Sequence, residues 1–215
     1  MKKLVCILIT ITLGCGPVVE FEVPQPEGTK DLPIFPSRLI GKYLNFSDSS
    51  IITIDAEQIT REYHFTGIIH KAEFENEMEI AIHHDTVLID EGMKISLDVI
   101  NDSVKLSSCF KNSIFQISEK NILRKFKGHY FLNKQHGENG IWTVQILKLE
   151  KKKLRLENLI YLDEIEPLSE NELLESNQDT TSGLFQKPFI VKVKKGDLKK
   201  ILKTKGSKGE YLKIN

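Results

Sequence analysis

The sequence predicts a mostly β protein: an antiparallel meander, forming a barrel or a sandwich, with a short C-terminal helix. Three observations carry this. Between Arg38 and Leu162, apolar residues recur at every second position in short runs, which is the period of a half-buried strand. Polar turn clusters separate the runs at short spacing, which suits hairpins and leaves too little chain for parallel crossovers. Near the C-terminus the period changes to that of a helix, where Leu198, Ile201 and Leu202 make one apolar stripe.

Taken in order, the chain opens with Lys2 and Lys3, then an apolar run from Leu4 to Leu13 broken only by Thr10 and Thr12. A membrane-spanning helix needs about 20 apolar residues, so this run is too short to cross a bilayer. Charge, a short apolar core and a small residue before a cut have the shape of a secretory signal peptide over residues 1–14; a buried N-terminal strand is the plainer alternative. There are three cysteines, Cys6, Cys15 and Cys109. Cys6 would leave with the leader, and Cys15 would become the first residue after a cut behind Gly14.

The stretch TLGC, residues 12–15, resembles the lipobox of bacterial lipoproteins. Gly14 fits the small residue before the cut, whereas Thr12 and Leu13 depart from the usual choices. The resemblance covers residues 1–15 only. It implies acylation of Cys15, palmitate being among the chains attached, and a cell-envelope protein held by lipid. Gly16 stands where an aspartate retains many such proteins at the inner membrane, so the resemblance further implies the outer membrane of a Gram-negative bacterium. A Cys15–Cys109 disulfide in an exported protein is the other use of these thiols. With Cys15 acylated, Cys109 is expected as a small buried residue.

Residues 15–37 hold five of the seven prolines, Pro17, Pro24, Pro26, Pro33 and Pro36. Proline favours extended, unpaired chain, so this segment reads as a tether reaching roughly 60 Å, unless VVEFEV (18–23) pairs as an edge strand. Residues 38–215 then form a single β-rich domain. Its strands are expected at SIITI (50–54), EMEIAI (77–82), TVLI (86–89), MKISLDV (93–99), SVKL (103–106), IFQI (114–117), GIWTVQILKL (140–149) and KLRLENL (153–159). The lone tryptophan, Trp142, is expected in the core. RLIGKY (38–43) and KFKGHY (125–130) echo each other, but the similarity fades within one strand.

Beyond the strands, Ser169 and Glu172 have capping-box spacing for a short helix within 166–179. PFIVKV (188–193) reads as a strand. Residues 196–206 read as a helix with Asp197 as its cap and Gly206 past its end, and EYLKI (210–214) as a closing strand.

The chain carries 30 basic and 30 acidic side chains, and loss of Lys2 and Lys3 leaves a slight acidic excess. Such a balance gives no reason to expect nucleic acid as a partner. There is no G-x-S-x-G, H-E-x-x-H or C-x-x-C motif and no phosphate-cradling glycine loop. HHD at 83–85 would place His83 and Asp85 on one face of a strand. With His129 or His136 this set has the ligand types of a facial-triad metal site; the plainer reading is a polar strand end. No catalytic residue is assigned and no cofactor is expected. Residues 163–186 contain seven acidic and no Lys or Arg side chains, whereas 187–215 contain ten lysines. Lys199, Lys200 and Lys203, opposite the apolar stripe, are candidate contacts for an anionic partner; a solvated helix face is the plainer reading.

The function expected from the sequence is a lipid-anchored envelope lipoprotein whose β domain binds a partner or small ligand without catalysis. One alternative is an envelope enzyme, a hydrolase or metal-dependent enzyme using His83, Asp85 and a distant His. Another is a structural component of an envelope assembly. Convergent His and carboxylates in one pocket would favour the enzyme, an apolar cavity a ligand, and a filled core with an exposed apolar patch an assembly.

Overall fold

A hairpin with both faces buried organises the molecule. The computed structural model describes residues 19–78, 86–90, 93–137, 140–170, 175–177, 189–205 and 210–214. The elements in order are β1 (Val19–Phe21), β2 (Asp31–Leu32), β3 (Gly41–Leu44), β4 (Ile51–Ile54), β5 (Gln58–His70), α1 (Lys71–Met78), β6 (Thr86–Asp90) and β7 (Met93–Ile100). There follow β8 (Ser103–Gln116), β9 (Asn121–Phe126), β10 (His129–His136), β11 (Ile141–Glu150) and β12 (Lys153–Asn158). The chain ends with α2 (Ile165–Glu170), β13 (Glu175–Asn177), β14 (Phe189–Lys192), α3 (Lys195–Thr204) and β15 (Glu210–Lys213).

The expected antiparallel β fold with a short C-terminal helix is what forms, and its sheet stays open rather than closing as a barrel. β10 and β11 pair from Tyr130↔Leu147 to His136↔Ile141. Successive side chains point to opposite faces. Tyr130, Leu132 and Leu147 therefore enter one core, and Phe131, Trp142, Val144 and Ile146 the other. From β11 the path runs β12–β15–β3–β4–β5–β8–β7–β6 on one branch and β1–β14–β13 on the other, with β9 and β2 beyond β10. It curls, because Leu123 of β9 shares one core with Ile54, Ile59 and Phe115 far along the path. The β9–β10 turn needs positive φ at both central residues, and Lys127 (φ 47°) and Gly128 (φ 82°) provide it. Gly41 instead opens β3, so the two Gly-x-Tyr echoes occupy unlike positions.

The second core sits between β10–β11, β1, β14 and the helices α2 and α3. Leu198, Ile201 and Leu202 are all buried in it, as their helical spacing requires, and Trp142 packs there too. The helix begins earlier than its sequence suggests. Lys194 is its N-cap, and Asp197 lies in the first turn, where a carboxylate still favours the helix dipole. Likewise α2 contains Ser169 instead of starting at it, because burying Ile165 and Leu168 sets its extent.

Residues 19–37 do not form a free tether. β1 pairs with β14 in parallel and with β11 through Phe21↔Trp142, so Val19 and Phe21 are buried. Asn133 Nδ2 donates to the Gln25 carbonyl at 2.8 Å while its Oδ1 accepts from Gln25 N–H at 2.6 Å. Arg124 donates to the Asp31 carboxylate and to the Pro24 and Pro26 carbonyls. Phe35 is fully buried, edge-on to Phe115. Pro24, Pro26, Pro33 and Pro36 fall outside the short strands, so they do not stop Val19 and Phe21 from pairing.

Two further expectations change. Glu77 and Met78, read as the start of a strand, end α1, and residues 79–82 lie outside the described residues. The thirteen residues of β5 had no alternating pattern to announce them, for a reason that bears on the site below.

Candidate functional site

β5 and β8 form the longest pairing of the fold, from Gln58↔Gln116 to His70↔Ser103. A bulge lies beside Ile59 and Thr60; past it Arg61 still reaches Tyr211 of the main core, and the ribbon then continues as an arm. Its far end has a small core of its own, where Phe74 of α1 covers Leu97 and Val104. β4 flanks β5 only as far as Glu62, and β7 flanks β8 only as far as Ser108. At Tyr63–His64 and Cys109–Phe110 the arm is therefore two strands wide among the described residues. This is its neck.

The two faces of the neck differ in chemistry. Paired residues share a face, so Tyr63 and Phe110 lie together, followed by Phe65. Phe65 is 62% and Phe110 50% exposed, although they lie between two apolar cores. The Phe65 ring covers Gly67, where an added Cβ would meet it at 3.3 Å. Ile68, on the opposite face, is 74% exposed.

That opposite face carries Glu62, His64 and Cys109. Glu62 and His64 are two apart on β5, and Cys109 is the register partner of His64. His64 Nε2 lies 2.6 Å from Glu62 Oε1, and one ligand atom from each of the three residues lies within 4.8 Å of the others. His64 and Cys109, with the hydroxyl residues Thr66, Ser96 and Ser107, line a shallow cleft of about 330 Å³. Partial desolvation and then the Glu62 carboxylate, which accepts from the thiol, push Cys109 up, with Lys111 opposing. This geometry disfavours a nucleophile. A hydrolytic triad needs the imidazole between thiol and carboxylate, whereas Glu62 meets both groups and holds the thiol protonated.

Cys109, expected to be buried, is thus an exposed thiol. Extended neighbours on a two-stranded ribbon have no core to enter, and the side chain turns to the cleft. Cys15, His83 and Asp85 lie outside the described residues. His129 and His136 stand at opposite ends of β10, about 23 Å apart along the strand, so one ion cannot take both. His129 is buried with Nδ1 3.1 Å from the Lys127 carbonyl, and His136 is exposed with Nε2 2.8 Å from Thr143 Oγ1. Lys199, Lys200 and Lys203 are exposed on α3, with Lys200 Nζ 3.6 Å from Asp197. Lys205, by contrast, is tied to Glu164 and lies over the Tyr161 ring. Compared with family models, curated proteins and solved structures, the chain matches none. No described helix is long and apolar enough to cross a membrane.

Proposed function

We propose that this is a lipid-anchored envelope lipoprotein whose β domain binds a partner protein, without catalysis, through the β5–β8 arm. The observation that carries the reading is the arm itself. Phe65 and Phe110 stand exposed together on one face of a projecting ribbon, while most apolar side chains of the body are packed into its two cores and those left exposed, Val23, Ile34, Ile40, Phe46 and Ile214, lie singly in loops and at element ends. Monomeric proteins seldom leave adjacent aromatics uncovered, and such rings anchor protein interfaces. A small apolar ligand would need a concave pocket instead, and the cleft on the arm is shallow and half polar. The lipid anchor rests on the short apolar run ending at Cys15.

The test separates these parts. Cys15→Ser should abolish incorporation of labelled fatty acid and release the chain from membranes. Phe65→Glu with Phe110→Glu should leave membrane attachment intact and remove the proteins that co-purify with the wild type from native membranes. Recovery of the same proteins in the same yield from the double variant overturns the arm's role. Unchanged labelling of Cys15→Ser overturns the anchor.

A further inference from the structure

We propose that Glu62, His64 and Cys109 form a zinc site that clamps β5 to β8 at the neck of the arm. The donor set is a carboxylate, an imidazole and a thiol, and a soft thiolate beside imidazole selects zinc over calcium or magnesium. All three donors come from two paired strands on one face, with no intervening side chain between His64 and its register partner Cys109. Zinc bonds of about 2.0–2.3 Å hold ligand atoms of a tetrahedron about 3.3–3.8 Å apart. The three ligand atoms already lie within 4.8 Å of one another, so rotation about side-chain bonds suffices. The 2.6 Å contact between His64 and Glu62 opens as both turn to the ion.

Binding displaces one proton: Zn²⁺ replaces hydrogen on the Cys109 sulfur, a Zn–S bond forms, and H⁺ leaves to solvent with no change of oxidation state. Three protein ligands leave the fourth position to water, which the exposed cleft admits. Lys111, in register with Glu62, is the nearby cation that the ion must tolerate.

The position gives the ion a mechanical role. Among the described residues no third strand supports the pair at the neck, so its backbone hydrogen bonds open most easily there. A bridge from β5 to β8 at that point restrains the arm against the body. The rest of the fold does not depend on the ion, because no core residue is a ligand.

The experiment uses the full chain purified in detergent. Titration with Zn²⁺ should show one equivalent bound. Co²⁺ in its place should give the near-ultraviolet absorption of a thiolate–cobalt bond, absent from Cys109→Ser. His64→Ala and Glu62→Gln should each weaken Zn²⁺ binding by about tenfold or more with an unchanged circular dichroism spectrum. Zn²⁺ should slow amide exchange at residues 63–66 and 108–110 in the wild type and not in Cys109→Ser. Cys15→Ser should bind as the wild type does. The site is refuted by absent binding, by wild-type affinity in Cys109→Ser, or by loss of binding in Cys15→Ser. Stoichiometric zinc without slowed exchange at the neck refutes the clamp.

Discussion

Asn133 shows how one buried polar side chain can decide where a segment lies. It is fully buried, and its amide serves both the N–H and the C=O of Gln25 while also donating to the Ile122 carbonyl at 3.1 Å. Asn133→Ala would strand the backbone groups of Gln25 away from water, so we expect a loss of about 2–3 kcal/mol in urea unfolding. His129 makes a second prediction. Burial holds its ring below the usual 6.5, with Lys148 adding to this and the Lys127 carbonyl and Glu150 opposing. The unfolded chain takes up a proton near that value while the folded ring stays neutral. Its contribution is therefore present above the unfolded value and is lost as pH falls below it. His129→Gln should flatten the decline in stability between pH 7 and pH 5.5; an unaltered slope would show that the ring titrates alike in both states. Tyr43 is pushed up to about 12 by burial and donates to the Leu39 carbonyl at 2.7 Å, which makes it a core anchor instead of an acid or base.

At the scale of elements, α3 tests the division between apolar and basic faces. Leu198→Asp or Ile201→Asp puts a carboxylate into the core, and either should cost about 3–5 kcal/mol. Reversing Lys199, Lys200 and Lys203 to Glu should change stability by about 0.5 kcal/mol or less, because all three are exposed. Binding to anionic vesicles at low salt should fall in that triple variant if the lysines meet a membrane or another anionic partner; no wild-type binding would leave them as a solvated face. The stripe was legible because burial and helical period coincide there. β4, β7, β11 and β12 were legible for the same reason, with one face or both in a core. β5 was not, since REYHFTG has no buried face over most of its length and alternation marks burial, not pairing. The site was hidden by the same cause. Glu62 and His64 have the spacing of one strand face, but Cys109 joins them only through the register of a pairing that no local pattern announces.

For the whole molecule, the integration of residues 19–37 changes how the protein would sit on a membrane. A free segment would let the domain roam roughly 60 Å from a lipid on Cys15. With Val19 already in a strand, four residue steps would separate a lipid on Cys15 from the fold, about 14 Å at full extension. On the proposed anchor, the arm would be presented at a nearly fixed height, and partners within its reach would be those close to the same bilayer. Trp142 offers a direct reading of this, being the lone tryptophan and the register partner of Phe21. In vesicles carrying a dansyl headgroup, the lipidated chain should show strong energy transfer from Trp142. Inserting 20 Gly/Ser residues after Pro17 should cut the transfer sharply, since such a spacer adds about 25 Å of mean reach. The Phe65→Glu and Phe110→Glu variant should transfer as the wild type does, because it alters the arm and not the anchor. Equal transfer with and without the spacer would mean that something other than Cys15 sets the distance to the membrane, and the close-held arrangement would fall with it.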